Sequence, residues 1–266
     1  MLELYHHGTS VCAAKARLAL GEKALEWTGH YVDILNGEQF APEYLKLNPK
    51  HVVPTLVHDG RVIRESTLIG EYLDEVFPDP PLKPDSAYDR FRMRLWTKRL
   101  DEELHPATGI VTYAISHRHA LLKNGPAAVD AWVNSAMPAE RERRRQRVTQ
   151  GIDAPEPARA LRLYDRFLAD METALADQPW LAGEQFSLAE IGVIPYVNRL
   201  DMLALSPLWT DKRPRLADWF RRVKARPGFE AAMLRYVPPP LMALMKEQGA
   251  AALPTVRVIL DQPNPS

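Results

Sequence analysis

Two groups of residues in the first quarter of the chain are of types that do chemistry. The first is His6-His7-Gly8-Thr9-Ser10, followed closely by the only cysteine, Cys12. Ser10 stands where a loop gives way to a helix. From Val11 to Lys23 the spacing is helical, with Ala14, Leu18 and Cys12 inward and Lys15, Arg17, Glu22 and Lys23 mostly outward. A hydroxyl at such a junction caps the helix, and the same geometry can point it at a thiolate held over the helix's positive end. Thr9 is the alternative hydroxyl. Cys12 reads as a small buried apolar group or as a nucleophile, and no C-x-x-C pair is present to favour thiol exchange. His6 and His7 point to opposite faces of an extended chain and have no carboxylate at a useful spacing, so they do not read as a metal pair. Either one of them, His7 first, lines a pocket, or one ring is packed and the other exposed.

The second group is Val52-Val53-Pro54-Thr55-Leu56, with Arg64-Glu65-Ser66-Thr67 beyond it. Proline has no N–H for a central ladder, so Pro54 belongs at a strand entrance and leaves the neighbouring backbone free to pair with something else. A helix N-terminus beside such a strand suits a peptide-like anion.

The elements that must position these groups are short. Leu2-Glu3-Leu4-Tyr5 alternates as a half-buried strand. Thr55–His58 and Arg61–Arg64 flank Asp59-Gly60, a strong hairpin dipeptide. Ser66 is placed to cap a helix whose apolar positions are Leu68, Ile69, Tyr72, Leu73 and Val76. Four prolines between Pro78 and Pro84 end that helix and stiffen a connection. Helical signals follow almost throughout. Phe91, Leu95, Leu100 and Leu104 mark a buried stripe with Trp96 beside it, and His105-Pro106 bends it. Ser187 and Glu190 form a capping box, with Phe186 and Ile191 spaced as a hydrophobic staple.

In this order, strand, helix, strand, helix, Val-Pro hairpin and Glu-Ser helix, the chain resembles the glutathione S-transferase superfamily. The resemblance covers roughly residues 1 to 235 and implies an α/β thioredoxin-like N-terminal domain plus an all-α C-terminal domain. The expected boundaries are 1–78 for the glutathione-binding domain, 79–86 for the Pro-rich linker, 87–249 for the helical domain and 250–266 for a C-terminal tail. Tyr5 to Leu20 aligns with the serine-type transferases, whose catalytic serine falls on Ser10. Pro54 is then expected to be cis, Val53 to pair with the cysteinyl backbone of glutathione, and Glu65 and Ser66 to hold its γ-glutamyl end. Val52 departs from the Gln or Lys of many relatives, so Lys50 or His51 is left to reach the glycyl end.

The implied chemistry has a scale. A free thiol has a pKa near ~8.5, and lowering it by about two units takes roughly 2.7 kcal/mol. One serine hydrogen bond to a charged acceptor supplies ~1.5 to 3 kcal/mol, and the helix dipole adds ~0.3 to 1. Ser10 therefore covers most of the cost of activating a glutathione sulfur against a hydrophobic electrophile. His7, Tyr113 and His117 are the expected contacts of that electrophile, with a rim from Tyr236 to Leu241.

The Glu65–Pro78 and Arg94–Lys98 segments, with an insertion from about Leu121 to Pro157, look like a bacterial subgroup of lignin β-etherases and reductive dehalogenases. The run Arg141–Arg147 in that insertion reads as a solvated helix face, or as a greeting for an anionic substrate. The alternative functions are a non-catalytic glutathione- or ligand-binding protein and a Cys12-dependent thiol reductase.

Composition adds exclusions. The 266 residues are 46% hydrophobic and 26% charged, with 34 basic and 34 acidic side chains, so no global charge drives the chain to nucleic acid or an anionic membrane. No apolar run has the ~18 to 20 residues that cross a bilayer, and the N-terminus is unlike a signal peptide. The expectation is a cytoplasmic homodimer using glutathione as co-substrate and no metal.

Overall fold

A computed structural model describes residues 1–262. The chain divides into two compact units: residues 1–98 with 174–195 and 218–238, and residues 99–173 with 196–217 and 239 onward.

The first unit is built on a four-stranded sheet in the order β2-β1-β3-β4, from β1 (Leu2–His6), β2 (Thr28–Tyr31), β3 (Thr55–His58) and β4 (Arg61–Ile63). β1 and β2 run parallel across the helix α1 (Val11–Glu22), while β3 is antiparallel to both β1 and β4. α2 (Pro42–Leu47) precedes β3, and α3 (Ser66–Val76) follows β4. Asp59 and Gly60 both take positive φ, 48° and 78°, which gives the tight turn that Asp-Gly predicts between β3 and β4. The core holds Leu4, Leu18, Leu20, Leu56, Ile69 and Leu73, all essentially inaccessible.

Helix α1 corrects the predicted amphipathicity. Lys15 and Arg17 are each 2% exposed and Lys23 is 5% exposed, so three residues expected outward lie inside, whereas Cys12 is only half-buried. The helix packs on α3 on one side and on α13 (Gly228–Met233) on another, which leaves residues 13–20 no solvent face. Its small residues Ala13, Ala14, Ala16 and Ala19 allow that close approach from every direction.

α4 (Ala87–Arg99) is followed by a π-helical turn over Leu100–Leu104 and then α5 (His105–Thr112). The predicted stripe is half right: Met93, Trp96, Leu100 and Leu104 are buried, but Phe91 and Leu95 are 53% and 44% exposed. The wider π turn rephases the helix just ahead of Pro106, so one 3.6-residue stripe does not run through it. A second π turn over Tyr113–His117 leads to α6 (Arg118–Lys123), α7 (Pro126–Asn134) and α8 (Pro138–Thr149). The remaining helices are α9 (Pro155–Ala174), α10 (Leu188–Met202), α11 (Pro207–Thr210), α12 (Pro214–Lys224), α13, and α14 (Pro239–Asp261). The segment 250–261, set apart in the sequence as a tail, is the second half of α14, and the last four residues of that tail lie outside the described residues.

The arginine run lies on α8 and pairs outward from it. Arg145 meets Asp130 at 2.9 Å and Arg147 meets Glu156 at 2.6 Å. Arg144 donates to the Trp132 carbonyl at 3.2 Å and lies over the Trp132 ring, while Arg141 donates to the Asn134 and Ala136 carbonyls. Cations thus satisfy the open carbonyl end of α7.

The capping box starts α10 as its sequence requires. Ser187 Oγ accepts from the Ala189 amide at 3.2 Å, and Glu190 accepts from the Ser187 amide at 3.0 Å and the Leu181 amide at 2.6 Å. Phe186 packs edge-on against Trp180 under the Arg226 guanidinium. Replacing Ser187 with Ala is expected to cost about 1 to 2 kcal/mol in urea unfolding. A loss below a few tenths of a kcal/mol would show that Glu190 holds the helix start unaided.

Candidate active site

Ser10 is the N-cap of α1, with extended backbone (φ −74°, ψ 118°), and its Oγ accepts from the Ala13 amide at 3.1 Å. A hydroxyl that accepts one bond still carries its own hydrogen, so Ser10 can cap the helix and donate to an anion at the same time. The preceding loop is rigidly held. The Thr9 amide donates to His7 Nδ1 at 3.2 Å, and Thr9 Oγ1 lies 3.0 Å from the same nitrogen. His7 Nε2, which then carries the ring hydrogen, stands 4.0 Å from Asp33. Gly8 is required because a Cβ there would lie 2.0 Å from the Tyr236 carbonyl oxygen.

The two histidines differ from expectation. His6 and His7 are 2% and 1% exposed, so neither ring is the exposed member of a pair. His7 supports the Thr9-Ser10 loop from behind. Thr9, the fallback hydroxyl, is itself buried and engaged with His7.

The Val53–Pro54 peptide is cis, and Val53 lies two residues before the β3 ladder begins at Thr55. The Val53 side chain is buried in a cluster with Ala13, Val32 and Tyr44, which joins the first turn of α1 to the proline loop. The loop is braced by Tyr44 Oη and Asn48 Nδ2, which donate to the Val52 carbonyl at 2.6 and 2.9 Å. Val52 itself is 49% exposed. His51 has φ 47°, and its ring rests on Phe40 with centroids 4.9 Å apart.

Ser66 is not the N-cap of α3. Glu65 occupies that position with φ 66° and no side-chain cap, and Ser66 is the first residue of the helix. A non-glycine residue at positive φ is strained, and such strain gathers where a ligand must be met. The Glu65 carboxylate meets Lys50 Nζ at 2.7 Å, and Arg64 Nε donates to the Leu47 carbonyl at 2.7 Å. These two bonds hold the Glu65-Ser66 turn against the loop that carries His51 and Val53.

In the second unit, Tyr113 and His117 do meet, edge to face with centroids 6.2 Å apart. Tyr113 is also stacked on Trp132 at 4.3 Å and packs against Val129, Val133 and Val148. Burial pushes its phenol up to about 12, so it remains a neutral donor at physiological pH.

Sequence reasoning missed the Arg17 network. Arg17 donates to the carbonyls of Ala232 (2.7 Å), His7 (3.1 Å) and Gly8 (3.3 Å) and to His6 Nδ1 (3.3 Å). Burial first, then the Arg17 guanidinium, hold the His6 pKa at about 4. The unfolded chain therefore binds an extra proton between about pH 4 and 6.5, and the stability contributed by neutral His6 is present above that window and lost as pH falls through it. With allowance for water near the ring, the loss is about 2 kcal/mol. Urea melts at pH 7 and 4.5 should show this loss in the native protein and not in His6→Gln; equal losses would remove His6 as the cause.

A thioredoxin-like α/β unit, with a serine capping its first helix and a cis-proline loop beside it, together with a helical unit, is the architecture of glutathione-dependent transferases. The glutathione S-transferase N-terminal domain matches residues 9–76 and the C-terminal domain matches residues 138–222. Protein LigF of Sphingobium sp. is 30% identical over 235 residues, covering 86% of this chain and 91% of that protein. The tetrachloro-p-hydroquinone reductive dehalogenase of Sphingobium chlorophenolicum is 29% identical, covering 87% and 95%. The crystal structure of β-etherase LigF from Sphingobium sp. superposes with a TM-score of 0.75 at 29% identity, covering 87% of this chain and 98% of that one. The chain belongs to the glutathione S-transferase family and is a glutathione-dependent enzyme.

Among the described residues no helix is long and apolar enough to cross a membrane, and no cluster of three or more His, Cys, Asp or Glu side chains is placed to hold a metal.

Proposed function

We propose that the protein cleaves an aryl ether by nucleophilic displacement with glutathione. The reading is carried by the Ser10 hydroxyl, which is fixed by the Ala13 amide and still has a hydrogen to donate to the glutathione thiolate. The sulfur attacks the carbon bound to the ether oxygen, a carbon–sulfur bond forms as the carbon–oxygen bond breaks, and the electron pair leaves on the aryloxide, which takes a proton from water. Val53 beside Pro54, with Glu65, Ser66 and His51, orients the tripeptide; His7 holds the Thr9-Ser10 loop that presents the hydroxyl, and Tyr113 and His117 serve the hydrophobic electrophile. The similarity to LigF over most of both chains supports the ether; the dehalogenase relative supports a carbon–halogen bond as the second reading.

The test supplies saturating glutathione with matched aryl ethers and aryl halides and follows aryloxide and halide release. Aryloxide release with a glutathione adduct on the carbon supports the proposal, and turnover confined to halides would select the second reading. A homodimer in the cytoplasm belongs to the same proposal. The exposed apolar residues Leu68, Phe91 and Leu95 on α3 and α4 support a second copy of the chain as partner.

A further inference from the structure

A cavity of about 740 Å³ in the first unit contains none of Ser10, Val53, Glu65 or Ser66. Its walls come from β1, α1, the edge strand β2 with the segment before it, and the region around α13. They include the aromatic side chains of Trp27, Tyr31 and Tyr236, the His6 ring, and the two cations Arg17 and Arg235.

Arg17 is the unusual member. It is 2% exposed, yet its four hydrogen-bond partners are neutral: three carbonyl oxygens and a histidine nitrogen. Among the described residues no carboxylate pairs with it, and the groups that favour its charge are only the phenols of Tyr236 and Tyr31. A guanidinium has five N–H donors, so these four bonds leave one unused. Burying a cation without a counter-charge is costly, and an anion that brings its charge into the cavity recovers part of that cost. The Arg17 guanidinium also lies 5.1 Å from the centre of the Tyr236 ring, so the cation and an aromatic wall face the same space.

From this we infer that the cavity bounded by Arg17, Arg235, Trp27 and Tyr236 is a second ligand site, distinct from the glutathione site, which takes a small aromatic carboxylate. The carboxylate meets the remaining Arg17 N–H and the Arg235 guanidinium, and the ring lies among the aromatic walls, which bury a planar ligand well. Glu26, an exposed carboxylate on the cavity wall, disfavours ligands of higher negative charge and points to a monoanion over a polyphosphate.

Calorimetric titration of the full chain with benzoate tests the site, with benzamide, cyclohexanecarboxylate and inorganic phosphate as comparisons. Benzoate should bind at least tenfold more tightly than each of the three, and its affinity should change less than twofold when glutathione is saturating. Arg17→Met removes the cation but also unties the β1 loop from α13, so the decisive variants are Arg235→Gln and Ala231→Trp, both at exposed positions on the cavity wall. Each should weaken benzoate at least tenfold while melting temperature and turnover with glutathione stay unchanged. Absence of benzoate binding, equal binding in both variants, equal binding of benzamide, or displacement by glutathione would each overturn the inference.

Discussion

Ser10→Ala should lower turnover by about 10- to 100-fold and raise the thiol pKa of enzyme-bound glutathione by about one to two units, equivalent to the ~1.5 to 3 kcal/mol of one hydrogen bond to a charged acceptor. The same substitution removes the cap on the Ala13 amide, which by itself costs ~1 kcal/mol of stability. Ser10→Asp separates the two roles. Aspartate restores the cap, so the melting temperature should return towards that of the native protein. Its carboxylate cannot donate a hydrogen and repels a thiolate, so turnover should stay low. If Ser10→Ala left turnover and the bound thiol pKa unchanged, the activation would have to come from another group, and Thr9, held by His7, is not placed for it.

Asp74→Ala should destabilise the first unit by about 3 to 5 kcal/mol, the usual cost of leaving one member of a buried ion pair unmatched. Lys23 Nζ lies 2.8 Å from Asp74, with the two side chains 0% and 5% exposed. The same ammonium donates to the Phe77 and Pro80 carbonyls at 2.5 and 2.7 Å, and Asp74 accepts from the Leu82 amide at 2.7 Å. The pair therefore fastens the proline-rich segment after α3 to the end of α1. Removing the carboxylate strands both the ammonium and the Leu82 amide. Lys23→Met combined with Asp74→Leu should recover part of the loss, because an apolar pair of similar volume carries no desolvation penalty. Urea denaturation of the three variants at pH 7 measures both effects, and a loss below 1 kcal/mol in Asp74→Ala would show that water reaches the pair.

The order of elements in the first unit was legible in the sequence because each has a local cause. Asp59-Gly60 accepts the positive φ of a tight turn, Pro54 cannot enter a ladder, Ser10 and Ser187 satisfy free amides, and Leu2 to Tyr5 alternates with a period of two. Such choices are made within a few residues, and the family resemblance rests on their succession. Ser66 was misplaced by one residue because the cap of α3 is set by Glu65 at φ 66°, a conformation its own side chain does not favour and which only the bonds around it sustain.

The surroundings of α1 were decided by tertiary structure. Lys15 and Arg17 stand about 200° apart around α1, and their residue type alone suggests solvent on both sides, but α3 and α13 come from residues 66–76 and 228–233 to cover them. A charge enters such a place only where distant backbone carbonyls or a carboxylate await it, and Ala232, Phe77, Pro80 and Asp74 are partners that local spacing cannot announce. The run of alanines around α1 was the available signal, since small residues on every side mark a helix approached from every side. Local backbone preference thus determined which elements form, while burial, which depends on residues far apart in the chain, determined that Arg17 and His6 face a cavity rather than solvent.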